Sequence, residues 1–155
     1  MTHSGVKAWA VGFIACCAVG SASTARAQVG VGTWARQGAE APGQPIMMTV
    51  ETCCGSGRRL IYRITGIDAV LTVESPFDGS EVPVLMAGKP SGETMAITQV
   101  DDRHWTTVIK MNGQLFGTSK ATLSADGRTL NVENDMKATV GANAAGKSTE
   151  TWIKK

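Results

Sequence analysis

Two adjacent cysteines, Cys53 and Cys54, are the first candidates for chemistry in the domain that follows residue 27. Neighbouring Cα atoms lie about 3.8 Å apart, which is below the usual separation across a disulfide. A bond between the two thiols would therefore close a strained ring that is easily reduced. Three alternatives stay open: a vicinal disulfide, one buried and one free thiol, or pairing between chains. The C-x-x-C spacing of a redox enzyme is absent.

His104 is the second candidate for chemistry, because it follows Asp101 and Asp102 at the start of a predicted strand. Aspartates are typical of turns, where they hydrogen-bond the local backbone. A histidine in this position is typical of a surface or rim residue that is hydrogen-bonded to a nearby carboxylate. No G-x-S-x-G elbow occurs. We therefore predict no catalytic residues, and keep a hydrolase or isomerase that uses His104 with Asp101 or Asp102 as an alternative.

Metal ligands are few. A structural zinc site takes four ligands, whereas Cys53, Cys54 and His104 supply three at most. Adjacent residues of a strand point to opposite faces, so both thiols converge only if the chain bends near Gly55. The sequence predicts no metal site and no cofactor.

Residues 1–27 have the organisation of a secretory signal peptide, with Lys7, an apolar run over 8–20 and an A-x-A site at 25–27. Cleavage there leaves a domain over 28–155 with equal numbers of basic and acidic residues. Such a neutral domain has no electrostatic argument for binding nucleic acid. It contains no further apolar segment long enough to span a membrane. Lipid attachment at Cys16 is a minor alternative, and we expect a periplasmic or extracellular protein.

The domain after the signal peptide consists of short β-rich segments separated by turn residues. Asn112-Gly113 predicts a tight hairpin, because a type I′ turn needs positive φ at both positions, and Asp126-Gly127 predicts a second such turn. Asp78-Gly79 predicts a turn within a loop over 75–81. After a first strand that starts at Gly32, the predicted strands cover 45–52, 58–65, 69–73, 82–86, 94–100, 103–111, 114–125 and 148–154, and the run over 128–140 continues the meander.

This spacing predicts an all-β fold, an antiparallel up-and-down meander of about eight to nine strands. A sheet of that size must protect its edges, and pairing the last strand with the first does so. We therefore expect one small closed barrel. The segment over 82–86 contains Pro83 and is expected at an edge.

Gly32-Thr33-Trp34 resembles the G-x-W motif of lipocalin-like, calycin-type barrels. In such folds the tryptophan packs across the barrel floor, and the resemblance implies a basic partner from the last strand, here Lys154 or Lys155 next to Trp152. Further segments are similar to small exported bacterial proteins with a lipocalin-like fold and no established activity. These are DGSEVP at 78–83, GKP at 88–90, DDR at 101–103, SADGRTLNV at 124–132 and WIK at 152–154. The resemblance implies a fold and no catalytic residues.

The aromatic and methionine side chains suggest what such a barrel does. A barrel of this size is either filled by its own side chains or lined around one small ligand. For the second case we predict a pocket with Met47, Tyr62, Met95 and Trp105 in its lining and with Tyr62 or Arg63 orienting a polar end. The sequence thus predicts a non-catalytic binder of a small apolar or amphipathic molecule. The alternative is a cell-envelope interaction protein with a packed barrel. The sequence leaves the oligomeric state open.

Overall fold

The computed structural model describes residues 30–38, 43–138 and 145–155. The predicted signal peptide, Cys16 included, lies outside these residues. All regular structure in the described part is β-strand. The strands in chain order are β1 Gly32–Arg36, β2 Pro45–Cys53, β3 Gly57–Ile64, β4 Ile67–Ser75, β5 Asp78–Met86, β6 Lys89–Gln99, β7 His104–Met111, β8 Gln114–Leu123, β9 Thr129–Met136 and β10 Gly146–Lys154.

The ten strands form one closed antiparallel barrel in which each strand pairs with its neighbours in the chain. β10 returns to β1, with Trp34 opposite Lys154 and Arg36 opposite Trp152. The predicted all-β meander and its closure are confirmed, and the number of strands is close to the eight to nine expected. Odd-numbered strands begin at one end of the barrel, which we call the floor, and finish at the other, which we call the mouth.

The expectation that 82–86 forms an edge is wrong, because β5 pairs with β4 on one side and β6 on the other. Pro83 is nevertheless placed as its missing N–H requires. The ladder to β4 stops at Val84, and the register to β6 shifts next to Pro83. Proline is thus tolerated in a strand of a closed barrel, at a position where the hydrogen-bonded ladder on one side has already ended.

The predicted turns differ in how closely they match the structure. Asn112 and Gly113 have φ values of 49° and 79°, as a type I′ hairpin requires. At the second site only Gly127 has a positive φ, and a longer connection between β8 and β9 is held by side chains. Ser124 Oγ accepts from the Thr129 amide at 2.9 Å, and the Asp126 carboxylate accepts from the Arg128 amide at 3.0 Å.

The predicted loop over 75–81 is shorter than expected, because β5 already begins at Asp78. Phe77 and Gly79 have φ values of 63° and 90°, so the turn lies one residue earlier along the chain. The register of β5 to β6 shifts between Asp78 and Glu81, which makes this segment a bulged strand rather than a loop.

Alternation along each strand places apolar side chains inside the barrel. The main cluster of buried residues comprises Trp34, Met48, Val50, Leu60, Val73, Val84, Ile97, Trp105, Leu123 and Trp152. A smaller cluster nearer the mouth comprises Ile109, Phe116 and Met136. None of the segments described above is a helix of the length and apolarity needed to cross a bilayer.

Candidate functional site

The barrel encloses a cavity of about 460 Å³. Its lining is mainly apolar and comes from strands all around the barrel. The cavity size lies within the range of small-molecule sites, roughly 300–1,000 Å³. Apolar lining residues include Met48, Leu60, Leu71, Met95, Ile97, Ile109, Phe116 and Val132. Ile67 and Met86 line the cavity and are also exposed to solvent, so the cavity formed by the described residues reaches the surface at the mouth.

The floor is packed around Trp34, which is fully buried. Its indole Nε1 donates to the Gly30 carbonyl at 2.9 Å. The Lys154 ammonium lies 5.6 Å from the centroid of the Trp34 ring, a distance at which a cation is attracted to the ring face. A Cβ at Gly32 would lie only 2.8 Å from Lys154 Cε, so glycine leaves the lysine room to cross the ring. Lys154 is one of the two lysines for which the resemblance implied this partner role, and Trp152 is buried in the same cluster as Trp34.

Arg58 is a buried cation at the floor side of the cavity, with 3% of its surface exposed. Its guanidinium lies 4.6 Å from the Phe77 ring centroid and 5.9 Å from that of Trp105. Nη2 donates to Gln99 Oε1 at 3.3 Å. Burial lowers the pKa of Arg58. Because arginine stays charged throughout the accessible pH range, this residue brings a fixed positive charge to the floor.

Three polar side chains lie together toward the mouth: Tyr62, Glu93 and Glu150, all of which line the cavity. Glu150 is engaged, since Arg36 lies 3.4 Å away and Trp152 Nε1 donates to it at 3.1 Å. Burial raises the pKa of Tyr62, and the nearby carboxylates of Glu150 and Glu93 raise it further.

Glu93 differs from Glu150 in having no neutralising partner in the part of the chain that the structure describes. Within the described residues its carboxylate has no hydrogen bond or ion pair. Burial raises the pKa of Glu93. A half-buried carboxylate facing a cavity without a partner is costly, and a ligand group that donates a hydrogen bond or carries positive charge would stabilise it.

The residues predicted for the pocket lie on two different faces of the sheet. Tyr62, Met95 and Trp105 line the cavity, and the Tyr62 and Trp152 rings make an edge-to-face contact with centroids 6.3 Å apart. Met47 and Arg63 do not line it. They oppose each other in register between β2 and β3, one position away from the inward-facing Met48 and Tyr62. Since side chains alternate along a strand, Met47 and Arg63 belong to the outer face.

Glu93, Glu150 and Arg58 were not among the sequence predictions for this site. A signal for Glu93 was present, because it lies two residues before Met95 on the same strand and therefore on the same face. Arg58 carried no such signal: a charged residue next to a turn is usually solvated, and here Phe77 from a neighbouring connection covers it.

His104 lies at the floor end, outside the cavity lining. Its Nδ1 contacts both oxygens of Asp101 at 2.8 Å, and both side chains are about half exposed. The Asp101 carboxylate also accepts from the backbone amides of Arg103 and His104. These hydrogen bonds hold the pKa of Asp101 below its usual range. Asp101 thus organises the turn before β7, and Asp102 is exposed in the same turn.

Cys53 and Cys54 lie in the hairpin between β2 and β3, also at the floor end, and both are free thiols. Cys53 is half-buried and Cys54 is exposed. Burial, together with the neighbouring Cys54 and Glu74, raises the pKa of Cys53 to about 11. The Cys54 thiol donates to Glu74 Oε2 over 3.6 Å.

Comparison of this chain with protein-family models, with curated proteins and with solved structures finds no match.

Proposed function

We propose that this protein is an exported, lipocalin-like carrier that binds one small apolar or amphipathic molecule inside its barrel without transforming it. The cavity carries the proposal, because a space of about 460 Å³ lined mainly by apolar side chains stabilises a ligand by burying its apolar surface. Met48, Met95 and Met136 lie in the lining. Such flexible, polarisable side chains adapt to ligands of different shape.

The polar groups of the cavity favour a ligand with a protonated amine or another hydrogen-bond donor at one end. Glu93 is a carboxylate without a partner among the described residues, and the aromatic rings of Tyr62 and Trp152 line the same cavity. A cation is attracted to both kinds of group. The positive charge at the other end of the cavity, on Arg58, further disfavours a cation at the floor. The apolar body of the ligand then lies between the floor and Glu93.

The exposed apolar residues at the mouth support entry of the ligand from that end. Ile67 is 43% exposed and Met86 is 39% exposed, and both continue into the cavity lining. The His104–Asp101 pair, in contrast, lies outside the lining of this cavity, and both side chains are about half exposed.

Native mass spectrometry of the protein purified from its own cells tests the proposal without assuming a ligand. We expect a bound small molecule that is released on unfolding. Absence of any such molecule across independent preparations would contradict the proposal, provided that the titration below also finds no binding.

Titration with decylamine, decanol and decanoic acid tests the ligand class. Trp105 and Trp152 line the cavity, so tryptophan fluorescence reports on occupancy. We expect decylamine to bind at least about 10-fold more tightly than decanol, which corresponds to about 1.4 kcal/mol. The Glu93→Gln variant should bind the two with similar affinity. Tightest binding of decanoic acid would overturn the amine preference and leave the binding site intact.

A pair of substitutions separates the cavity from the outer surface. Ala121 lines the cavity, whereas Ala96 lies between the lining residues Met95 and Ile97 and therefore on the opposite face. Ala121→Leu should weaken binding of all three probes, and Ala96→Leu should leave it unchanged. Equal effects of the two substitutions would contradict binding inside the barrel.

A further inference from the structure

The adjacent cysteines are arranged in a way that a simple strand does not allow. In a strand, successive side chains point to opposite faces. Here Cys54 has a φ of 51° and Gly55 a φ of 77°, so the chain turns sharply at the second cysteine. The two thiols and the carboxylate of Glu74, on the neighbouring strand β4, consequently lie within 4.8 Å of one another. The hairpin therefore brings three potential metal ligands to one point.

The distances suit a tetrahedral ion of the zinc type. Zinc–sulfur bonds of about 2.3 Å and zinc–oxygen bonds of about 2.1 Å place the sulfur and oxygen ligands roughly 3.6 Å apart across a tetrahedral angle. Cys54 Sγ and Glu74 Oε2 are 3.6 Å apart. Only a small movement of the thiols is then needed for both sulfurs and this oxygen to contact one ion.

Glu74 is held in an orientation that leaves one oxygen for the thiols. Arg59 Nε and Nη2 both lie 2.7 Å from Oε1, while Oε2 faces Cys54. The Arg59 guanidinium also keeps the pKa of Glu74 below its usual range. Partners that fix a ligating carboxylate in this way are common around metal sites and tune their affinity.

We propose that Cys53, Cys54 and Glu74 form a binding site for one thiophilic divalent cation, Zn²⁺ or its softer analogue Cd²⁺, with water at the fourth position. Two S–H bonds are lost, two metal–sulfur bonds and one metal–oxygen bond form, and the two thiol protons pass to solvent without oxidation or reduction. Two thiolates favour such an ion over Mg²⁺ or Ca²⁺, which prefer oxygen ligands only. The site lies outside the barrel and does not depend on the cavity ligand.

The test uses the full chain with Cys16→Ser and Cys17→Ser, without a histidine tag, kept reduced by a reductant that contains no thiol. Titration with Cd²⁺ is followed by thiolate-to-metal charge-transfer absorption, and Zn²⁺ affinity is measured by competition with a chromophoric chelator. We expect one ion per chain. Cys53→Ser and Cys54→Ser should each abolish the charge-transfer signal of a two-sulfur site.

Glu74→Gln and Glu51→Gln form a matched pair for the third ligand. Both glutamates contact Arg59, at 2.7 Å and 3.9 Å, but only Glu74 belongs to the cluster with the thiols. Glu74→Gln should weaken Zn²⁺ binding at least about 10-fold. Loss of a residue that only orients a ligand already costs about 10-fold or more, and loss of a direct ligand should cost no less. Glu51→Gln should leave the affinity unchanged.

Two results would overturn the proposal. One is the lack of a charge-transfer signal at micromolar Cd²⁺ in protein whose two remaining thiols are shown to be reduced. The other is equal weakening by Glu51→Gln and Glu74→Gln, because binding would then depend on the charge of the hairpin and not on a specific ligand. Circular dichroism of each variant establishes that the barrel is intact in either case.

Discussion

The two ends of the barrel are built from the same antiparallel strands but treat their interior differently. At the floor, Trp34 is fully buried, Lys154 crosses its ring and Arg58 lies against Phe77. At the mouth, Met86 is exposed and continues into the lining of an open cavity. Strand pairing alone therefore does not decide whether a barrel is filled.

The difference follows from side-chain size and charge at inward-facing positions. Large rings at the floor fill the space between strands, and the buried Arg58 guanidinium lies over the Phe77 ring. Toward the mouth, the inward positions carry a smaller apolar cluster and three polar side chains, and the carboxylate of one of these, Glu93, has no partner among the described residues. One end is thus packed by its own side chains, and the other leaves the space in which we propose that a ligand binds.

Trp34→Ala should have the largest effect of any change that tests this contrast. Removing a fully buried tryptophan from a packed floor costs about 3–5 kcal/mol, because the cavity left behind collapses only in part. The free energy of unfolding, measured by urea denaturation, should fall by that amount. Met86→Ala, at the mouth, should cost less than about 1 kcal/mol, since the side chain is already 39% exposed. Equal losses for the two variants would contradict a packed floor and a loose mouth.

Arg58→Lys should have an intermediate effect. The planar guanidinium stacks on Phe77 and lies near Trp105, and a lysine ammonium reproduces neither the stacking nor the fork of donors toward Gln99. We expect a loss of about 1–2 kcal/mol in the free energy of unfolding, the range of a desolvated cation–π contact.

Arg63→Lys is the matched control for Arg58→Lys on the same strand. Arg63 is exposed on the outer face of β3, so its replacement should change stability by less than about 0.5 kcal/mol. A loss for Arg63→Lys as large as that for Arg58→Lys would show that the floor places no special demand on the guanidinium.

Much of this architecture could be predicted from local sequence patterns, whereas the interior could not. Asn112-Gly113 specifies a hairpin because few other residues adopt positive φ at two successive positions, and such turns at short intervals imply a meander. It was harder to predict which residues face the interior, because a shift of one residue in strand register moves every side chain of the strand to the other face. Met47 and Met48 are chemically identical, and only the folded barrel shows that Met48 is the one that faces inward.

The charged residues of the interior illustrate a second limit. Whether Arg58 is solvated or buried depends on Phe77, which belongs to the connection between β4 and β5 and not to the strand of Arg58. Convergence of Cys53 and Cys54 on Glu74 likewise depends on a turn conformation and on strand β4, neither of which the Cys-Cys dipeptide indicates. Chemistry that arises from contacts between distant strands is not visible in the spacing of residues along one of them.

Glu93→Gln should have the smallest effect on the free energy of unfolding, about 0.5 kcal/mol, which is the scale of substitutions at partly exposed positions. The sign of this change distinguishes the interior from the outer surface. Burial raises the folded-state pKa of Glu93 above its unfolded value. Its contribution to stability is therefore fully present below the unfolded pKa, near 4.3, and is lost as the pH rises through the folded pKa. At pH 7 the ionised carboxylate is a cost that glutamine does not have. Glu93→Gln should accordingly be more stable than the wild type at pH 7, and the difference should disappear as the pH approaches 4.

Glu81→Gln should show the opposite sign and completes this test. Glu81, on the outer face, accepts from Lys110 and Thr94, and these hydrogen bonds lower its pKa. Its contribution to stability is present above the unfolded pKa and is lost as the pH falls through the folded pKa. At pH 7 Glu81→Gln should therefore be less stable than the wild type. Urea denaturation of both variants at pH 7 and pH 4 measures the two signs. A loss of stability at pH 7 in Glu93→Gln would mean that the Glu93 carboxylate has a stabilising partner, and would contradict the contrast between the two ends of the barrel.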